Sequence, residues 1–389
     1  MTLACIAGVG MTPFGRLPDA SLAEIAAPAV TGAFVEAGVS AQDIEIAFVG
    51  NALGGLATGQ ESIRGQVILR HSGITGIPIV NVENACASAA TALHQAVLAV
   101  RSGLYGTALA LGVEKMYVGD TARTLSMIAT ASDIGEFERH GLQFTSLYAM
   151  AASRYLREFP DARLEDFAAV AAKNSANGEL NPYAQFRKAR SVPEVMASRP
   201  IADPLTLLMC SSIADGAAAA VVTSERLEGA VDILGSVIRS GLYRPNGFAP
   251  GPSSVGLAAS IAYGQAGVSP GDVGVVEVHD AAAPQELLHV EDLGLLERGE
   301  GAAAIRDGRL ARDGTLPVNP SGGLTSRGHA IGATGLAQVA ELVWQLREDA
   351  GDRQVRFDGR ERRVGLALNT GGRTVDDRAA IGVHVLELR

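Results

Sequence analysis

The sequence predicts an α/β protein made of two similar halves, and three observations lead to this fold class. First, AGVSAQDIEIAFVGN at residues 37–51 and AGVSPGDVGVVEVHD at residues 266–280 are identical at six of fifteen aligned positions. Second, short apolar runs alternate with helical patterns, which is typical of sheets covered by helices. Third, each half contains a helix with the same apolar face. Similar segments in the same order indicate an internal duplication.

The individual strands and helices follow from hydrophobic periodicity. The runs DILGSVI at residues 232–238 and VGLALN at residues 364–369 are short and apolar, as buried strands are. Apolar residues spaced i, i+3, i+4 and i+7 predict one face of a helix. This spacing occurs at Leu93, Ala96, Val97 and Val100, and again at Leu336, Val339, Ala340 and Val343. Both helices begin with small residues, so we expect them to pack closely against each other.

Residues 115–205 differ from the two halves and predict an inserted loop domain. The pattern FTSLYAMAASRYLREF predicts a helix that stops before Pro160, and LEDFAAVAAKNSA predicts a second one that ends near Gly178. We expect the insertion to lie over the first half and to contact the substrate. The predicted domains are therefore residues 1–114 with 206–228, residues 115–205, and residues 229–389.

The charge and composition exclude several classes of function. The chain has 32 Lys and Arg against 42 Asp and Glu, a net charge of −10, which argues against nucleic acid or an anionic membrane as the main partner. No apolar stretch reaches about 18 residues, so no membrane span is predicted. The sequence has neither a secretory leader nor a peroxisomal ending, and we expect a cytoplasmic protein.

Three widely separated cysteines predict neither a disulfide framework nor a metal site. Cys5 and Cys210 are expected to be small buried hydrophobic residues. Cys86 differs because it follows a strand-like run and precedes a helix. Amide groups and the positive end of the helix dipole at such a position stabilise a thiolate or a developing oxyanion. Cys86 is therefore a candidate nucleophile, with a structural role as the alternative.

Three later segments carry further candidate residues. NPSGGLTSRGHAIGATG at 319–335 places His329 in a glycine-rich loop that lacks the spacing of a phosphate-binding motif. VEVHDAAAPQE places His279 and Asp280 at the end of a strand, where α/β sheets place their chemistry. A capping or packing role for His329 remains open, and for Asp280 we favour a structural role as acceptor for loop amides. LALNTGGR ends in a Gly-Gly turn at which backbone amides approach a bound group.

These segments together resemble the thiolase superfamily, and within it the sterol-carrier-type, or lipid-transfer, thiolases. The phrases that carry the resemblance are long, occur in the family's order and span almost the whole chain. They are IAGVGMTPFGR, LGVEKM, LYAMAASRYL, DPLTLLMCSSIADGAAAAVV, VEVHDA and NPSGGLTSRGHAIGATG.

The resemblance implies a five-layer αβαβα thiolase fold, a homodimer or homotetramer, and acyl-coenzyme A as substrate, with no metal and no permanently bound cofactor. By position, Cys86 matches the nucleophile that takes the acyl group. His329 matches the histidine of the G-H-P loop that activates the thiol. His279 matches the histidine of the H-D-C-F motif, and the backbone at Cys86 and Gly372 matches an oxyanion hole.

The sequence also departs from the family pattern. H-D-C-F is replaced by H-D-A-A, with Ala281 and Ala282 at its last two positions. The terminal segment contains no C-x-G, and G-H-P reads G-H-A. The second cysteine, which in the family removes the proton alpha to a thioester, is therefore missing. Ordinary thiolysis or Claisen condensation loses its usual base.

Three functions follow, and we favour the first. It is acyl transfer through acyl-Cys86 to an easily activated carbon nucleophile, with His279, or less directly His140, as base. The second is a retro-aldolase that acts on a coenzyme A thioester together with an OB-fold partner. The third is a catalytically silent scaffold. Arg187, Lys188 and Arg190 form the best basic patch for the coenzyme's phosphates, and a solvated loop is the alternative.

Overall fold

The computed structural model describes residues 3–242, 253–374 and 376–388. Strands and helices alternate through the first half of the chain. They are β1 (Cys5–Met11), α1 (Leu22–Ala37), β2 (Ile46–Gly50), α2 (Gly54–Thr58), α3 (Arg64–Leu69), β3 (Ile79–Val82), α4 (Ser88–Arg101) and β4 (Thr107–Glu114).

The region after β4 is mainly helical and ends in a small hairpin and a long strand. Its elements are α5 (Thr121–Ala129), α6 (Ile134–His140), α7 (Phe144–Glu158), α8 (Leu164–Glu179), α9 (Val192–Met196), β5 (Pro200–Ala202), β6 (Leu205–Thr206) and β7 (Gly216–Thr223). The two helices predicted in the insertion correspond to α7 and α8.

The second half repeats the alternation of the first. Its elements are β8 (Val231–Arg239), α10 (Ser254–Ala266), β9 (Val273–Glu277), α11 (Ala283–Asp292), α12 (Gly301–Arg306), α13 (Gly323–Ser326), α14 (Thr334–Arg347), β10 (Arg363–Arg373) and β11 (Arg378–Leu388).

The large sheet consists of two similar parts joined at one narrow seam. Its strand order is β3-β2-β4-β7-β1-β8-β11-β10-β9. At the seam only Cys5 and Ile6 of β1 pair with Asp232 and Val231 of β8. Strands β2 and β3, β2 and β4, and β9 and β10 run parallel, and the other neighbours run antiparallel.

The helices complete five layers. Helix α1 covers the outer face of the first part of the sheet, and α10 covers the outer face of the second part. Helices α4 and α14 contact each other and both parts of the sheet, so they form the central layer. The apolar faces predicted for these two helices are buried, with Val100 and Val343 both at 0% exposure. The two helices predicted from their apolar periodicity therefore form the central layer of the fold.

The close packing of α4 and α14 depends on small residues, as the sequence predicts. A Cβ atom on Gly335 of α14 would lie 2.7 Å from the backbone nitrogen of Ala90 in α4. Such a contact is shorter than any that real side chains adopt. The N-terminal ends of α4 and α14 are therefore in close contact. This contact brings together the residues that precede the two helices.

The insertion lies elsewhere than the sequence analysis predicts. Helix α8 packs against α11, α12 and α13, and α7 packs against α11, so both long helices rest mainly on the second half and not over the first. The reason is the apolar face of the insertion, because Tyr155 and Phe167 are buried in one core with Val290 of α11 and Ala304 of α12. The Tyr155 hydroxyl also donates to Glu291 Oε1 at 2.6 Å.

None of the helices described combines the length and apolar character needed to cross a bilayer.

Candidate active site

Three of the predicted site residues meet at one point. The Sγ atom of Cys86 and one ring nitrogen each of His279 and His329 all lie within 4.8 Å of one another. Cys86 comes from the turn before α4, His279 from the end of β9, and His329 from the loop before α14. The two imidazole rings meet edge to face, with centroids 5.0 Å apart. The site is therefore assembled from both halves of the chain.

The nucleophile candidate lies on a strained turn between β3 and α4. Ala85, directly before Cys86, has a φ of +48°, which a residue with a side chain rarely adopts. Hydrogen bonds hold this geometry, because the Ala85 amide donates to Glu83 Oε1 at 2.6 Å and the Ser88 hydroxyl donates to the Ala85 carbonyl at 2.7 Å. The turn leaves Cys86 half-buried.

The Gly-Gly turn predicted to approach a ligand lies against the cysteine. A Cβ atom on Gly371 would be 2.3 Å from the Asn84 carbonyl oxygen and 2.4 Å from the Ala87 nitrogen, so no side chain fits there. The amide of Gly372 and the amide of Cys86 itself hydrogen-bond to the sulfur and favour its anionic form.

The resting thiol is nevertheless protonated. Burial raises the pKa of Cys86 to about 12, and this effect exceeds the lowering by the two amides. Burial also lowers the pKa of His329 to about 3 and holds the pKa of His279 well below its usual range. The amides at the helix end lower the pKa of the thiol, as the sequence analysis expects, but desolvation is the larger effect. The Cys86 thiol therefore needs a base that removes its proton when it reacts.

The hydrogen bonds of His329 determine which nitrogen is free. Its Nδ1 lies 2.8 Å from the Thr334 hydroxyl, and that hydroxyl donates its single proton to the Ala330 carbonyl at 2.9 Å. Thr334 must therefore accept a hydrogen bond, which places the proton of neutral His329 on Nδ1. Nε2 keeps a free lone pair. His329 is in the tautomer that can accept a proton from the thiol.

The hydrogen bonds of His279 lead to the opposite tautomer. Gln338 donates its amide N–H to the Leu368 carbonyl at 3.1 Å, so its oxygen faces Asn369 and accepts from Asn369 Nδ2 at 3.1 Å. Asn369 Nδ2 also lies 3.1 Å from His279 Nδ1, which accepts its second N–H. Neutral His279 then carries its proton on Nε2. It is a hydrogen-bond donor toward the site.

Asp280 has the structural role favoured by the sequence analysis. Its side-chain oxygens accept from the Leu324 amide at 2.7 Å, from Asn174 Nδ2 at 3.0 Å and from the Thr325 hydroxyl at 3.2 Å. These bonds tie the end of β9 to the loop that carries His329. Ala281 and Ala282, which replace the family's second cysteine and its neighbour, are buried and carry no titratable group.

The other two cysteines lie outside the cluster of three. Cys5 is buried in β1, as expected. Cys210 is only half-buried, and its Sγ donates to the Thr206 carbonyl at 3.5 Å. Its backbone forms a bridge to Ala282 beside the site. Cys210 therefore lies near the position of the missing cysteine without joining Cys86 and the two histidines.

The four residues predicted for substrate or coenzyme binding do not join the cluster. His140 is exposed at the end of α6 and lies 3.6 Å from Glu136. Arg187 and Lys188 are exposed, and Arg190 lies 3.7 Å from Glu194. The loop of Arg187 borders the histidine loop, because the Phe186 amide donates to the Ser326 carbonyl at 3.1 Å.

A cavity of about 600 Å³ opens beside the cluster. Its walls include Tyr148 of α7, which is close enough to Cys86 for the two groups to interact electrostatically. Arg373 and Arg378, at the turn between β10 and β11, line the same cavity. Cys86 itself does not line the cavity.

Sequence reasoning missed Tyr148, Thr334, Gln338, Asn369 and Arg373. One signal was available, because Asn369-Thr370-Gly371 has the spacing of the C-x-G motif with asparagine as its first residue. Thr334 and Gln338 lie on α14 and look like ordinary helix residues. The partners of Gln338 lie far away along the chain, 31 residues in the case of Asn369.

The ligand types in the cluster raise the question of a metal. Cysteine and histidine bind zinc, and a histidine ligand normally donates its other ring N–H to an acceptor. His329 meets this requirement through Thr334. His279 does not, since its Nδ1 faces the N–H group of Asn369, and binding through Nε2 would remove the proton from that atom. The residues do not fit a metal site.

Comparison with known proteins identifies the family. Residues 4–226 match the thiolase N-terminal domain, and residues 250–382 match a thiolase C-terminal domain-like family. The chain is 43% identical over 375 residues to the acetyl-CoA acetyltransferase of Methanothermobacter thermautotrophicus, covering 94% of this chain and 96% of the relative. It is 37% identical over 375 residues to human sterol carrier protein 2, covering 90% of this chain and 67% of the relative.

A solved structure of an Ltp2-ChsH2(DUF35) aldolase has the same fold, with a TM-score of 0.78, 25% identity, and coverage of 98% of this chain and 97% of the other. The two domain matches together span most of the sequence, and the predicted thiolase fold is confirmed. This chain belongs to the thiolase family and is an acyltransferase.

Proposed function

We propose that this enzyme takes an acyl group from a coenzyme A thioester onto Cys86 and passes it to a carbon nucleophile. The observation that carries the proposal is the meeting of the Cys86 thiol with the two oppositely protonated histidines within 4.8 Å. One histidine can accept the thiol proton, and the other can donate to an oxygen that becomes negative. Nucleophilic catalysis by a buried thiol requires both functions.

In the first half-reaction, Nε2 of His329 takes the proton from Cys86 while Sγ attacks the thioester carbonyl carbon. The carbonyl oxygen becomes negative and is stabilised by the amides of Cys86 and Gly372. The bond to the coenzyme's sulfur then breaks, and His329 returns the proton to that sulfur. The products are acyl-Cys86 and free coenzyme A, and the histidine is again neutral.

In the second half-reaction, a carbon acid must lose a proton and attack acyl-Cys86. Because Nδ1 of His279 accepts from Asn369, His279 is arranged as a donor, and its use as the base is not favoured. His329 is the group that can act again, taking the acceptor's proton and returning it to Sγ. A single weak base suits an enolic or electron-rich aromatic carbon better than acetyl-coenzyme A.

The coenzyme's phosphates are assigned to Arg187, Lys188 and Arg190. The support is their position beside the loop of His329, together with the exposure of the first two side chains. A cationic loop at the edge of the site would hold the far end of the coenzyme while its thioester reaches Cys86.

The test is to record intact-mass spectra after incubation with a panel of acyl-coenzyme A donors. We expect one adduct with the mass of the acyl group on the unmodified enzyme. Cys86→Ala should show none, while Cys210→Ala should acylate normally and serves as the matched control. His329→Ala should acylate about 10²–10⁴-fold more slowly. No adduct with any donor, or an equal adduct on Cys86→Ala, would refute the proposal.

A retro-aldolase is the second candidate, and the similar aldolase structure together with the missing second cysteine favours it. In that reaction a β-hydroxyacyl thioester loses its hydroxyl proton, and the bond between its α and β carbons breaks. The resulting enolate is protonated. Cys86 is not covalently involved, so cleavage that persists in Cys86→Ala would support this function over acyl transfer.

The assembly and location remain predictions. A homodimer or homotetramer, an OB-fold partner protein and a cytoplasmic location are expected from the sequence, and acyl transfer as described needs only this chain's own residues.

A further inference from the structure

The cavity beside the active site contains an unusual number of arginines. Among residues 3–242, 253–374 and 376–388, four arginines lie in its walls: Arg154, Arg298, Arg373 and Arg378. Three carboxylates form ion pairs with three of these arginines. Arg298 forms three hydrogen bonds to Glu158, and Arg154 lies 3.7 Å from the same carboxylate. Arg378 lies 3.8 Å from Asp292 and 3.9 Å from Asp377.

Arg373 differs from the other three. Across residues 3–242, 253–374 and 376–388, its guanidinium has no hydrogen bond and no ion pair. The side chain is half-buried, and burial together with the charge of Arg378 lowers its pKa. Keeping an unpaired cation partly out of water is unfavourable, and an anionic group from a ligand would relieve this cost.

The position of Arg373 limits which anion it can reach. It follows Gly372, whose amide hydrogen-bonds to the sulfur of Cys86, and it faces the cavity together with Tyr148. Tyr148 interacts electrostatically with both Cys86 and Arg373, so an anion bound by Arg373 lies on the same side of the site as the thioester carbonyl. The coenzyme's phosphates are separated from that carbonyl by the whole pantetheine arm. A carboxylate on a short acyl chain is the anionic group that lies nearest to that carbonyl.

We propose that Arg373 binds a carboxylate on the acyl group, so that the preferred donors are thioesters of short dicarboxylic acids, of the succinyl or glutaryl kind. This inference rests on the proposed acyl transfer and adds the substrate class to it. Arg373 pairs with the carboxylate through two N–H groups, and the neutral chain between carboxylate and thioester lies against Tyr148. Acetyl and longer fatty acyl groups leave the guanidinium without a partner.

The experiment compares succinyl and butyryl thioesters of N-acetylcysteamine, which have equal chain lengths and lack the coenzyme's phosphates. The single-turnover rate of adduct formation on Cys86 is followed by intact mass for the unmodified enzyme, Arg373→Gln and Arg373→Lys. We expect the unmodified enzyme to prefer succinyl. Arg373→Gln should lose roughly 10- to 100-fold with succinyl alone, as expected for a hydrogen bond between charged groups. Arg373→Lys should retain part of the preference.

Several outcomes would overturn the inference. Equal rates with succinyl and butyryl in the unmodified enzyme would do so, as would an Arg373→Gln variant that slows both donors equally. An effect seen only with coenzyme A thioesters would assign Arg373 to a phosphate. If butyryl acylates Cys86 as fast as succinyl, acyl transfer through Cys86 stands and only the role of Arg373 is refuted. If no donor gives an adduct, both the acyl transfer and the role of Arg373 are refuted.

Discussion

The two histidines of the site have the same chemistry and opposite protonation, because their partners differ. Thr334 can only accept from Nδ1 of His329, since its own proton is given to the Ala330 carbonyl. Asn369 can only donate to Nδ1 of His279, since its amide orientation is fixed through Gln338. One ring is therefore ready to accept a proton, and the other is ready to give a hydrogen bond.

This assignment predicts the effect of replacing Thr334. Thr334→Val keeps the shape of the side chain and removes the acceptor, which releases His329 to take the other tautomer. We expect acylation of Cys86 to slow by about 10- to 100-fold with little change in stability. Thr334→Ser keeps the hydroxyl and should remain within a few-fold of the original rate. Unchanged acylation in Thr334→Val would show that the hydroxyl does not set the tautomer.

The sequence indicated Cys86, His279 and His329, and the structure places them together. The sequence did not reveal which residues hold these three side chains in position. A cysteine between a strand and a helix is a local signal, and a histidine in a glycine-rich loop is another. Asn369 and Gln338 act through contacts between β10 and α14, and no local pattern distinguishes them from ordinary buried amides. Arg373 gave no signal either, because an unpaired arginine can be recognised only once its neighbours are known.

At the scale of elements, the duplication is visible in the caps of two equivalent segments. Helices α1 and α10 both end at a glycine in the left-handed conformation, Gly38 and Gly267. A short turn follows in each case. The Ser40 amide donates to Asp43 at 2.8 Å, and the Ser269 amide donates to Asp272 at 2.7 Å. Five of the six identities found in the sequence are thus residues that end a helix or form the turn after it.

The central helix pair leads to a prediction about packing. In Gly335→Ala the new methyl group would lie 2.7 Å from the Ala90 nitrogen and 2.9 Å from the Ala90 Cβ. We expect a loss of about 1–3 kcal/mol in the free energy of unfolding, because α4 and α14 must move apart. Urea unfolding measures this change.

The matched control is Gly264→Ala in α10, where an added Cβ would meet nothing within 4 Å. That change should be neutral or should stabilise the protein by about 0.5–1 kcal/mol, since alanine favours the helix. Equal effects of the two substitutions would contradict the packing argument.

The sequence predicted the two long helices of the insertion but not the surface on which they pack. The lengths of α7 and α8 were well predicted from their periodicity. Their docking on the second half was not, because an apolar helix face shows only that it is buried. The partner surface formed by α11 and α12 is created by the fold itself.

For the whole molecule, the balance of buried acids and bases determines how stability depends on pH. Burial raises the pKa of Asp280 to about 8, with the charge of Glu286 adding to the effect, and burial raises the pKa of Glu114 and of Glu277 to about 7. Burial lowers the pKa of His329 and of His384 to about 3. The native state therefore keeps protons on the acids and excludes them from the histidines.

These shifts predict the direction of the change on each side of neutrality. Each acid whose pKa is raised by folding contributes stability that is fully present below its pKa in the unfolded chain. This stability is lost as the pH rises through its pKa in the folded protein. Each lowered histidine contributes stability that is present above its unfolded pKa and is lost as the pH falls toward 3. Above about pH 6.5 only the acids still act. The free energy of unfolding should fall by on the order of 1–3 kcal/mol between pH 6.5 and 8.

Urea unfolding at several pH values, with and without added salt, tests this prediction. Salt screens the repulsion among surface charges that a net charge of −10 produces, and it screens buried groups much less. The loss of stability between pH 6.5 and 8 should therefore persist at high salt. A rise in stability over this range would contradict the assigned pKa shifts.

The assembly of the site from both repeats has a consequence for fragments of the chain. Cys86 lies in the first repeat, whereas His279, His329 and Gly372 lie in the second. At the position equivalent to His279, the first repeat has Gly50, so it holds no spare imidazole there. Neither repeat alone carries the complete set of site residues. Cutting the gene in two should yield inactive fragments, and turnover would return only when both are mixed and re-associate.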